Sequence, residues 1–341
     1  PSRLSYFSTK NVGRRDLIEI NFRNKKTFAI VLTASELQEE KAELKKIKTF
    51  KLKPINSIVK EKFLSEKWFE ILEEASQNLF LPEALFLSHF ISKAILSKDL
   101  KSDFEDPEVG LRRHQKIALK GTFEERTQYL RGIIRENFAR KKSVIIAAPR
   151  TDSLKKLEDE LSKGIEDYIF SLSGELSAKK YLSVFNKAAK EAHPILMLGT
   201  YQALFFDRPD LDTIIVEEEG SRLWNRSDIF PFDFRKVAEI IAEIKGLKLI
   251  WSDLILRTET IYKAGYGQIE ARNLLTGRIQ SGVETRIIEA GKSESFSWIT
   301  KELAQDIEES LFRNESILLF VNRKGYSSFT ICQDCSQAQL C

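Results

Sequence analysis

Apolar residues at Tyr129, Leu130, Ile133, Ile134 and Phe138 recur at helical spacing, and the uninterrupted apolar run 144–148 follows them. A stripe of that period predicts an amphipathic helix, and a short apolar run with no alternation predicts a strand buried on both faces. Further strand candidates are 168–172, 195–199, 213–216, 247–251, 284–288 and 316–320, with helical patterns at 154–161, 178–192 and 234–244 between several of them. Alternation of this kind predicts a mostly parallel sheet covered by helices on both faces. Upstream the pattern differs. Residues 13–32 alternate apolar and polar positions around a turn at 23–26, which predicts a β-hairpin, and a further short strand is expected to end near Pro54. Helices are expected over 67–77 and 82–96, with Trp68, Ile71, Leu72, Phe86, Phe90 and Ile91 facing inward. The polar, acidic stretch around Pro107 and Gly110 separates the two patterns and marks a linker at 101–110.

With 341 residues, 42% of them apolar, the chain has material for more than one core. No basic-then-apolar leader opens it and no apolar run is long enough to span a membrane, so the expectation is a cytoplasmic protein without a membrane partner. A start at Pro1 and an end at Cys341 lead to the further expectation of a fragment. The net charge of +4 hides an asymmetry: residues 1–60 carry 14 Lys and Arg against 6 Asp and Glu. That segment is the candidate for nucleic acid, with Arg14, Arg15, Arg23, Lys25 and Lys26 around the hairpin as phosphate contacts. A solvated basic surface is the competing reading.

Three strand ends carry chemistry. The run to Gly199 ends in a Gly-Thr turn, the run to Val216 ends in Glu217, Glu218, Glu219 and Gly220, and the run to Trp251 ends in Ser252 and Asp253. Ligands of open α/β sheets sit at such carboxyl ends. The three carboxylates read either as a metal-holding group or as a solvated strand end. At the start of the first helix, where a phosphate loop would place glycines, stand Phe123, Glu124 and Glu125. Thr122 and Glu125 have the spacing of a capping box, which satisfies the helix start with its own anion, and the two glutamates would repel a triphosphate. Near the carboxyl end come Asn322, Arg323, Lys324, Gly325 and Tyr326, then Cys332, Cys335 and Cys341, the only cysteines. Three thiolates at that spacing read as zinc ligands rather than disulfide partners.

Taken in order, Gly199, Thr200, Ala203, Leu204 and Phe205, then Glu217 to Gly220, Ser252, and Leu319, Phe320, Asn322, Arg323, Gly325 and Tyr326 resemble the motifs of the primosomal protein N′ (PriA) replication-restart helicases, a superfamily 2 family. The resemblance implies a β-rich amino-terminal DNA-binding domain with trailing helices (1–100), the linker (101–110), a RecA-like parallel-sheet helicase lobe (111–290) and the start of a second lobe with an incomplete zinc-binding segment (291–341). It also implies forked or 3′-ended DNA and primosome or other replication proteins as partners, Zn²⁺ on the three cysteines, and Arg323 and Lys324 as further DNA contacts. The departures concern the motor. Arg126 stands in the position of the phosphate-loop Lys, followed by Thr127; the Asp-Glu-Glu-His element is Glu-Glu-Glu-Gly, with Glu217 and Glu218 as its catalytic carboxylates; and Ser-Ala-Thr-Pro is Ser-Asp-Leu-Ile. A DNA-binding protein that has lost ATP and Mg²⁺ use is therefore expected. The competing expectations are an active ATP-dependent 3′ to 5′ helicase with divergent motifs, and an interaction module unrelated to DNA.

Overall fold

A computed structural model describes residues 4–35, 52–91, 95–96, 115–226, 232–275, 285–288, 299–320, 330–331 and 337–339. By contact density the chain divides into two compact units, Pro1–Thr276 and Gly277–Cys341.

The first unit opens with a four-stranded sheet made of β1 (Tyr6–Phe7), β2 (Leu17–Phe22), β3 (Lys25–Ile30) and β4 (Lys53–Lys60), in the order β1-β4-β2-β3. The hairpin expected at 13–32 is β2 and β3, paired antiparallel from Leu17–Ile30 to Phe22–Lys25. Its turn is only Arg23 and Asn24, both at positive φ (49° and 62°), the two-residue form whose twist matches that of the flanking strands. The next strand does not end near Pro54; it starts there and runs on to Lys60. Buried Asp16 organises the base of the hairpin by accepting from the Gly13 and Lys62 N–H groups at 2.7 and 2.8 Å. Helices α1 (Glu66–Asn78) and α2 (Glu83–Phe90) follow, the first capped by the Ser65 hydroxyl. The linker at 101–110 lies outside the described residues.

The lobe is a seven-stranded sheet, and five of the strand candidates, 144–148, 168–172, 195–199, 213–216 and 247–251, supply strands of it. Its elements in chain order are β5 (Lys116–Lys120), α3 (Phe123–Ala139), β6 (Ser143–Ala147), α4 (Thr151–Leu161), β7 (Ile169–Leu172), α5 (Ala178–Lys190), β8 (Leu196–Gly199), β9 (Leu211–Glu217), the short pair β10 (Asn225–Arg226) and β11 (Phe232–Asp233), α6 (Phe234–Lys245), β12 (Lys248–Asp253), α7 (Thr258–Gly265) and β13 (Glu270–Asn273). The strand order is β13-β5-β12-β9-β6-β8-β7, with every neighbouring pair parallel. Each residue of β6, β8 and β9 is buried, which explains runs without alternation. Two strands escape the apolar-run criterion. Both β5 (KIALK) and β13 (EARN) keep polar residues at their ends, and β13 lies at the sheet edge.

One apolar cluster lies under α3 and α4 and includes Leu130, Ile134, Ile146 and Leu157. The other joins the amino-terminal layer to the lobe, placing Leu17, Phe63, Trp68 and Phe86 with Phe205, Ile214, Phe234 and Trp251. In the second unit α8 (Lys301–Phe312) is followed by chain without regular structure at 315–320, where the sequence predicts a strand over 316–320; Leu318 and Phe320 are exposed there. Residues 285–288 are likewise unpaired rather than a strand, and β14 (Thr330–Ile331) pairs with β15 (Ala338–Gln339).

Candidate functional site

Because the sheet is parallel, the ends of β8, β9 and β12 emerge on one side, together with the connection from β5 to α3. That connection is two residues long, Gly121 and Thr122. Thr122 is the N-cap: its hydroxyl accepts from the Glu125 N–H at 3.3 Å while the Glu125 carboxylate accepts from the Thr122 N–H at 2.8 Å, the capping box expected from the spacing. The helix therefore begins three residues before Arg126. A phosphate loop needs backbone N–H groups turned inward by glycines; here residues 123–125 are wound into the first helical turn. The Thr127 hydroxyl donates to the Phe123 and Glu124 carbonyls at 2.9 and 3.0 Å, acceptors that only a helical path brings within its reach.

Arg126 is 5% exposed and spans the strand ends. One guanidinium nitrogen donates to the Gly121 carbonyl at 2.8 Å and another to Glu217 Oε2 at 3.0 Å. Glu217, 2% exposed at the end of β9, takes its second bond from the Ser252 hydroxyl at 2.5 Å at the end of β12. Burial pushes the Glu217 carboxyl up from the ordinary glutamate value, against the opposing pull of Arg126 and Ser252. Both carboxylate oxygens are thus engaged within the protein, and the cation beside them is a side chain.

Glu218 takes positive φ (50°) and turns the other way, accepting from the Ser153 hydroxyl and pairing with Arg150 at 3.5 Å. Glu219 is fully buried. It accepts from the Arg257 N–H at 2.8 Å, from Arg257 Nε at 2.5 Å and from the Thr260 hydroxyl at 2.7 Å, while Arg257 also pairs with Asp233 at 3.2 Å. Arg235, 2% exposed, holds the backbone of the same loop through the Glu219 carbonyl at 2.6 Å. The solvated strand end is therefore corrected: two of the three carboxylates are buried and partnered. Sequence reasoning treated 217–219 as one acidic group and missed Arg235 and Arg257, which lie on later elements with no motif to mark them. A cleft of about 460 Å³ remains in front of the strand ends, lined by Phe123, Glu124, Arg126, Arg150, Ser153 and Lys156 among others.

Gly220 has a definite reason. Its N–H donates to Asp253 at 2.7 Å, and a Cβ there would lie 2.5 Å from the Ile255 carbonyl oxygen. Gly220→Ala is expected to lower stability by about 1–3 kcal/mol, since backbone must move to relieve the overlap. Denaturant unfolding checks this, and a loss within experimental error would show that the two loops are not in contact.

The hairpin candidates separate into two groups. Arg15 is turned inward, bonded to the Leu64 carbonyl at 3.3 Å and to Glu66 at 2.8 Å. Arg14 pairs with Glu73 at 2.9 Å and lies over the Phe69 ring. Arg23, Lys25 and Lys26 are exposed at the turn, Lys26 with a loose pairing to Glu19 at 3.3 Å. Arg323 and Lys324, and the cysteines Cys332, Cys335 and Cys341, lie outside the described residues.

A parallel sheet with a strand–turn–helix in the phosphate-loop position, and with Glu217 and Ser252 at adjacent strand ends, has the architecture of a RecA-like lobe. The chain is similar in sequence to curated PriA replication restart proteins: that of Rickettsia prowazekii (strain Madrid E) is 25% identical over 97% of this chain and 53% of its own length, and that of Bacillus subtilis (strain 168) is 21% identical over 84% and 36%. The chain thus spans about half the length, or less, of these curated relatives. No family model matches it. Among solved structures, the UvsW helicase from bacteriophage T4 superposes with a TM-score of 0.31 at 12% identity, over 71% of this chain and 68% of that one, which is too loose to bear on function. Among the described residues no helix is long and apolar enough to cross a membrane.

Proposed function

We propose that this chain is a DNA-binding protein of replication restart, recognising forked or 3′-ended DNA, in which the helicase lobe serves as a scaffold and ATP hydrolysis has been lost. The observation that carries the loss is the internal closure of the nucleotide position. The phosphate loop is wound into α3, and the Glu217 carboxylate, which a Mg²⁺ ion would need, is bonded to Arg126 and Ser252. The first turn of α3 also carries Glu124 and Glu125, like charges to a triphosphate.

DNA binding is supported by the relatives named for replication restart, by the basic excess of residues 1–60, and by three exposed cations at the hairpin turn. Arg15 drops out of the contact set because its guanidinium is already committed inside the fold. With Arg23, Lys25 and Lys26 changed together to Ala, the dependence of log affinity on log salt for forked DNA is expected to flatten by about 2–3 units, at roughly 0.9 per phosphate contact on duplex. Fluorescence anisotropy over a salt series measures it. An unchanged slope would remove the hairpin from the DNA interface, and no binding by the unmodified chain would remove DNA as its partner.

A further inference from the structure

We propose that Asp207, Lys245 and Trp68 form a buried latch that fixes the amino-terminal layer to the lobe, so that the two open and move as one body. Lys245 is the last residue of α6, a position where a lysine usually reaches into solvent beyond the helix end. Here it turns inward. Its ammonium lies 2.6 Å from Asp207 Oδ2, both side chains are 1% exposed, and the indole ring of Trp68 on α1 lies over it at 4.7 Å. The other side of the indole environment is Phe205, with ring centroids 4.7 Å apart, two residues before Asp207.

Burying two charges is costly, and apolar side chains of similar volume would hold the layers together at least as well. The apolar contacts between α1 and α6 are non-directional and tolerate more than one register. A buried ammonium held by charge beside a carboxylate does not: the indole face must sit over it to gain the cation–π attraction. The Trp68 Nε1 is buried without a hydrogen-bond partner, so its ring contacts, not its polar edge, set its orientation. The latch joins three separate stretches of chain: α1, the loop before β9, and the end of α6. Its consequence is that the hairpin turn and the strand ends keep one fixed geometry. It rests on packing alone and stands whether or not the chain binds DNA.

Hydrogen exchange on the full chain tests it. In the unmodified protein the slowest amides of α1 and of α6 are expected to open with equal constants, within about 3-fold, as members of one cooperative unit. In the Asp207→Leu/Lys245→Met double variant, which removes the latch without stranding a charge, α1 is expected to open at least about 10-fold more readily than α6. Two results overturn the proposal: α1 already opening about 10-fold more readily than α6 in the unmodified chain, or no separation between them in the double variant. If the double variant fails to fold, the measurement on the unmodified chain decides alone.

Discussion

Replacing Arg126 with Ala is expected to lower the unfolding free energy by about 3–5 kcal/mol, a large share of a domain's total, because it leaves the Glu217 carboxylate buried without its cation. Arg126 is 5% exposed and Glu217 2%, so in the folded chain the pair is held largely away from bulk water. The cost also depends on pH. Burial already holds the folded Glu217 carboxyl above its unfolded value, so its contribution to stability is complete below about pH 4.5 and is lost as pH rises through the folded value. Without Arg126 the folded value moves higher still, and the loss extends over a wider range. The deficit of the variant is therefore smaller near pH 5 than near pH 8. Paired urea titrations at the two pH values measure this. A deficit under about 1 kcal/mol, typical of a surface pair, would show that the ion pair is solvated.

Much of the lobe was legible because its central strands are buried on both faces. Runs such as "SVIIA" and "LDTIIVE" cannot be mistaken once helical stripes separate them. The capping box at Thr122 and Glu125 was legible for a similar reason: its partners are three residues apart, and local geometry decides. Strands β5 and β13 were not, since flanking lysines and an edge position erase the apolar run, and neither was the coil at 316–320, whose apolar sequence forms no strand among the described residues. The site was legible in its parts but not in its wiring. Glu217, Arg126 and Ser252 could be named singly, whereas their convergence needs the strand order β5-β12-β9, which periodicity does not supply. Charge repulsion by Glu124 and Glu125 was the reason the sequence offered for excluding a triphosphate. The structure adds a stronger one: helical winding, which exchanging those two residues for glycine would weaken without supplying a loop.

ATP turnover by this chain is expected to be absent, with or without DNA. To seat a triphosphate the first turn of α3 must unwind, which forfeits the cap at about 0.5–2 kcal/mol, and the Arg126–Glu217 pair must separate at about 3–5 kcal/mol. A conformational cost of roughly 4–7 kcal/mol reduces apparent affinity by about three to five powers of ten, so a site of micromolar intrinsic affinity becomes millimolar or weaker. Mg²⁺ gains nothing from the opened form unless Glu217 also exchanges Ser252 and Arg126 for the metal. The decisive measurement is phosphate release by the unmodified chain with Mg²⁺, ATP and saturating forked DNA. The account predicts no release above the rate without protein, and DNA-stimulated turnover of about 1 s⁻¹ or faster, ordinary for an enzyme, would contradict it.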